Sequence, residues 1–99
     1  MRIYEKLMRK LRDMFRKARF KRNFRGIGIG TKLHIVWYGG QVTTMEVVQD
    51  GHFVWLENRV TKAIAYSSMR LTHMFELVEA IAEDVENGTI QQYEIVGGN

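Results

Sequence analysis

Cysteine and proline are both missing from the 99 residues. Without cysteine there is neither a disulfide framework nor a thiolate metal site. The absence agrees with a reducing compartment, and the cytoplasm is the expected location. Long apolar runs are missing as well: no stretch approaches the roughly 20 residues of a membrane span. The N-terminus lacks the uninterrupted apolar segment of a secretory signal, and it lacks the serine enrichment of an organelle presequence. Histidine is scarce. His34, His52 and His73 are the only imidazoles, and none belongs to a metal-ligand or nucleophile pattern. Ser67-Ser68 is explained as a helix cap without a neighbouring base. The acids are dispersed over a helix surface rather than set in a catalytic pair. These gaps exclude the recognisable catalytic and metal chemistries, so no catalytic residue, metal ligand or cofactor is expected, and the chain reads as a non-enzyme.

What is present is charge of one sign, gathered at one end. Residues 1–25 hold eleven Lys and Arg against Glu5 and Asp13, a local balance of +9, whereas residues 26–99 hold four basic and nine acidic residues, or −5. The overall +4 therefore describes a basic arm joined to an acidic body. Within the arm, Tyr4, Leu7, Met8, Leu11, Met14, Phe15 and Ala18 recur at helical spacing and form an apolar stripe. Most of Lys6, Arg9, Lys10, Arg12, Arg16, Lys17 and Arg19 falls on or beside the opposite face, and Glu5 and Asp13 stand four residues before Arg9 and Lys17. The period breaks after Ala18. If the helix continues, Phe20 and Phe24 project nearly opposite the stripe, placing two rings among Lys21, Arg22 and Arg25.

Gly26, Gly28 and Gly30 invite a phosphate-loop reading, which fails on context. Such a loop opens a helix and carries Lys before Ser or Thr. Here the order is Gly30-Thr31-Lys32 and the following segment has strand character. A hinge is the better reading. Residues 31–38 alternate with period two, and Gly39-Gly40 is expected to turn the chain into a second strand over 41–49. Asp50-Gly51 then leads into a third strand over 52–56, and residues 59–66 suggest a fourth. With two-residue turns at both corners, Leu33, Ile35, Trp37, Val42, Thr44, Val48, Phe53 and Trp55 would share one face, and Val36, Met45, Val47, Val54 and Leu56 the other. Both faces are then largely apolar, which calls for one helix on each. A second helix is expected from about Ser68 to Asn87, capped by Ser67, Ser68 or Thr72, with Leu71, Met74, Phe75, Val78, Ile81, Ala82 and Val85 inward. Residues 89–96 form a final strand.

The expected fold is α+β: a basic amphipathic helix, a four-stranded antiparallel meander, a second helix, and a final strand returning to the sheet. The expected divisions are 1–25 for the arm, 26–30 for the hinge, 31–96 for the α+β domain and 97–99 for a frayed tail. Trp37, Phe53 and Trp55 on one face are read first as core and second as a stacking platform.

For function, the arm is expected to bind nucleic acid through its phosphates, with weak sequence preference. Arg9, Lys10, Arg12, Arg16, Lys17, Arg19, Lys21, Arg22 and Arg25 supply the charge, and Phe20 and Phe24 stack or wedge. An alternative is an accessory or inhibitory protein that binds a nucleic-acid-handling protein, a build similar to that of phage-encoded modulators of host machinery. Self-association into a homo-oligomer is expected as well; in a further alternative the stripe of Tyr4, Leu7, Met8, Leu11, Met14 and Phe15 is structural, packing on the chain's own core or mediating that homo-oligomerisation. Attachment to a membrane surface ranks last, because the stripe matches what the sheet needs.

Overall fold

The computed structural model describes residues 2–24 and 27–97. The roles expected for Arg25, for the Gly26 end of the hinge and for the last two residues of the tail lie outside the described residues. The elements follow in the order α1 (Arg2–Asn23), β1 (Lys32–Trp37), β2 (Val42–Asp50), β3 (Phe53–Glu57), β4 (Ile64–Ala65), a 3-10 turn at Ser67–Met69, α2 (Met74–Asn87) and β5 (Ile90–Gly97). One antiparallel sheet has the strand order β4-β3-β2-β1-β5. Four strands form a meander, and the fifth returns beside the first. The architecture is α+β, as the alternation of patterns implies.

The first hairpin corrects the expected register. Val36 faces Val42 and Leu33 faces Met45, because the turn uses three residues, Tyr38, Gly39 and Gly40, rather than two. Trp37 N donates to Gln41 O and Gly40 N donates to Trp37 O, and both glycines have φ above 90°. One extra residue in the turn moves the side chains of β1 to the other face relative to β2. The second corner moves by two: Gly51 and His52 make the turn and Asp50 faces Phe53, which preserves the relative faces of β2 and β3. Leu33, Ile35, Met45, Val47, Val54 and Leu56 therefore point the same way, and all are buried.

Both helices cover that one face, correcting the expectation of a helix on each side. Leu77, Ala80, Ile81, Ala82 and Val85 of α2 join Phe20 of α1, Phe24 just past its end and Ile90 of β5 in a single core with those six sheet residues. Among the described residues no helix lies on the opposite face, where Val42 and Phe53 remain exposed. The apolar cluster expected to unite Trp37, Phe53 and Trp55 is split. Trp37 packs against the core and its indole N–H donates to Thr43 Oγ1 at 2.7 Å, while Phe53 and Trp55 belong to the uncovered face.

The segment before α2 is also shorter in regular structure than its pattern suggests. Asn58 Oδ1 accepts from the backbone of Val60 and Thr61, a local turn that withholds residues 59–63 from the sheet. The 3-10 turn is flanked by Tyr66 and Arg70, at φ 71° and 53°, so α2 begins only at Met74 after His73. Its start is secured by Glu76, whose Oε1 accepts from the backbone of Thr72 and His73. The Thr72 and His73 amides, in that order, hold the Glu76 carboxyl below its ordinary value. Phe75, expected inward, is exposed, and Leu77 and Ala80 are buried in its place. Tyr66 donates to Asp84 Oδ2 at 2.6 Å, tying this segment to α2. Burial first, and then that bond, push the Tyr66 phenol upward.

Candidate functional site

The constellation that stands out is α1. Its lower half is anchored. Phe20 and Phe24 are 0% and 2% exposed and stack with ring centroids 3.9 Å apart. Tyr93 of β5 meets the Phe20 ring edge-on at 4.9 Å. The two rings expected among the cations as stacking groups are thus core residues, on the inner side of the helix. The Arg16 guanidinium donates to the carbonyls of Ile90 and Gln91, and Asn23 lies within hydrogen-bond reach of the Tyr93 hydroxyl.

Beside the rings, α1 runs antiparallel to α2. Lys17 Nζ is 2.7 Å from Glu79 Oε1, 3.7 Å from Glu86 and 3.9 Å from Glu83, and Lys21 also pairs with Glu79. The bond from Lys17, followed by that from Lys21, holds the Glu79 carboxyl below its ordinary value. The bond to Glu79 raises the Lys17 ammonium above its own. Arg16, Lys17 and Lys21, expected as binding cations, are therefore engaged within the fold.

Toward its N-terminus α1 runs beyond α2. Lys6, Arg9, Lys10 and Asp13 border a cleft with Glu83, Glu86 and Asn87 at the far end of α2, and every side chain from residues 3–12 is exposed. A helix of 22 residues is about 33 Å long. The molecule measures 50 Å by 26 Å by 24 Å.

The stripe does not face the core. At about 100° per residue, Ile3, Tyr4, Leu7, Met8, Leu11, Met14, Phe15 and Ala18 fall within an arc of about 140°, with Phe20 and Phe24 on the far side. Tyr4 is 64% exposed, Phe15 69% and Ile3 84%. Leu7, Met8, Leu11 and Met14 are exposed too. The expectation that the sheet would use this stripe is corrected: it points away from the body along about four helical turns. Arg12 and Arg19 run along one border, Lys10 along the other, and Arg22 sits at its C-terminal end. Among the described residues no ion pair ties down Lys6, Arg9, Lys10, Arg12, Arg19 or Arg22. Ile3 was not among the residues the sequence singled out, and Lys6 was read on the cationic face without being named a binding residue. Ile3 stands four before Leu7, and that spacing is the signal that identifies it.

The other expected constellations do not assemble. His34 shares a short hydrogen bond with Thr44 Oγ1, His73 lies against Phe75 and His52 sits in a turn. Among the described residues there is no group of His, Cys, Asp and Glu able to hold a metal, and no helix long and apolar enough to cross a membrane. The glycine segment leads into β1 through Gly30 N on Val47 O, and no helix follows it. Compared with family models, with curated proteins and with solved structures, the chain has no match.

Proposed function

We propose that the protein is a non-enzymatic binding module that engages a phosphate-bearing polyanion through α1. The observation that carries this reading is the exposed charge of α1: Lys6, Arg9, Lys10 and Arg12 lie in its N-terminal half, and Arg19 and Arg22 lie on the exposed side of the half whose Phe20 is fixed in the core. Fixing one end matters because a flexible arm loses conformational entropy on binding, whereas a packed helix has already lost it.

The body contributes by its own charge. Its surplus of acids is spent partly on Lys17 and Lys21, and it discourages a polyanion from approaching anywhere but α1. Nucleic acid is one polyanion of this kind. Its phosphates would be met by the cations without base-edge contacts, so affinity would depend weakly on sequence and steeply on salt.

The test is retention on duplex DNA and on a phosphate-bearing resin at two salt concentrations. The expected outcome is retention at low salt that declines as salt rises, and its loss when Lys6, Arg9, Lys10 and Arg12 are replaced by Gln. Retention that ignores salt, or that survives those replacements, contradicts the reading.

A further inference from the structure

The cations are only part of the exposed surface of α1. A nucleic-acid backbone takes up positive charge and leaves the stripe from Ile3 to Phe15 in water. Its length and its position on the side opposite the anchoring phenylalanines call for a partner that is apolar and anionic at once. We infer that the partner is an anionic lipid surface, with α1 lying in the plane of the headgroups. This rests on the proposed polyanion reading and names its source.

Three observations converge on it. The stripe is long, one-sided and bordered by cations on both flanks, so Leu7, Leu11 and Phe15 reach the acyl boundary while Arg12, Arg19 and Lys10 stay level with phosphates. The body hangs from the reverse side of the helix, through Phe20 and Phe24, and stands in water without obstructing the contact. The body's negative charge also turns it away from the same surface, which orients the molecule.

A second copy of the chain fits less well. Pairing two stripes would bring Lys10, Arg12, Arg19 and Arg22 of each copy along one seam. Glu5 and Asp13 lie on the polar side rather than at the borders, so α1 itself would bring only like charges to the seam, and the α2 acids beside it already pair with Lys17 and Lys21.

The test is flotation of the full chain with vesicles of equal parts phosphatidylglycerol and phosphatidylcholine, with phosphatidylcholine vesicles alone, and retention on duplex DNA. Its mass in solution is measured alongside. The variant is Leu7→Gln/Leu11→Gln/Phe15→Gln, which keeps good helix formers and alters exposed positions only. The expected result is binding to the anionic vesicles and not the neutral ones, weakened roughly tenfold or more in the variant, with DNA retention unchanged. Binding to anionic vesicles that the variant leaves intact overturns the inference, since charge alone would explain it. DNA retention without vesicle binding overturns it and leaves the polyanion reading standing. A dimer whose mass halves in the variant, without vesicle binding, assigns the stripe to a second copy. Failure on vesicles and DNA alike removes both readings.

Discussion

Phe15 and Phe20 are the same side chain on the same helix, and the fold uses them in opposite ways. Phe20 is fully buried against Phe24 and Tyr93, whereas Phe15 is 69% exposed. Phe20→Ala should destabilise the protein by about 3–5 kcal/mol, the cost of a large cavity in a packed core. Phe15→Ala should stay within about 0.5 kcal/mol, as an exposed site does. Urea unfolding of the two variants measures both, and equal effects would contradict the orientation of α1. The break in period after Ala18 was visible in the sequence, as was the direction in which Phe20 and Phe24 would project. Which side of the helix meets the body was not. Eight apolar residues on one arc outweigh two rings in any periodicity count, and what makes the two rings the inner side is a core drawn from distant strands and α2, with Tyr93 some seventy positions away against them.

At the scale of elements, α1 divides into an anchored part and a projecting part. A chain beginning at Asp13 keeps Phe20, Phe24, Lys17 and Lys21, and should fold cooperatively with a loss of no more than about 1 kcal/mol. It should also lose polyanion retention. A chain beginning at Gly30 removes both core phenylalanines and should fail to give a cooperative thermal transition. Similar melting of the two truncations would contradict this division. The strands were legible as elements, because alternation and turn residues mark them locally. Their faces were not, because Gly39-Gly40 suits a two-residue turn as well as the three-residue turn that includes Tyr38, and one residue reverses the side chains. The fourth strand shrank for a similar local reason, the Asn58 turn competing with the ladder.

At the scale of the whole molecule, segregated charge does two jobs. Part of the basic arm clamps α1 to the acidic helix through Lys17, Lys21 and Glu79, and the remainder projects. Glu79 is held below its ordinary 4.5, so its contribution is present above that value and is lost as pH falls through the depressed one. Lys17 is raised above 10.5, so its contribution is complete below that value and is lost as pH rises further. The clamp should operate between these limits and contribute only about 0–1 kcal/mol per pair, since its members keep part of their side chains in water. Glu79→Gln should therefore destabilise at neutral pH and cease to differ from the parent protein in acid. A difference that persists unchanged once pH has fallen through the depressed Glu79 value would assign the effect to something other than charge. The opposition of the two helices' charges was legible in composition. Their placement on one face of the sheet was not, because two apolar sheet faces and two amphipathic helices suggest one cover each. Three or more strands with one covered face suffice for a stable domain.

The absence of cysteine makes one decisive measurement simple. Spin labels are attached to Leu7→Cys, Leu11→Cys and Phe15→Cys on one side of α1, and to Glu5→Cys and Arg9→Cys on the other. Each is then exposed to oxygen and to a polar relaxation agent, with and without phosphatidylglycerol-containing vesicles. An apolar docking face opposite the core predicts that vesicles shield the first three labels from the polar agent and open them to oxygen, while the last two remain in water. Labels on both sides responding alike, or none responding, would contradict it.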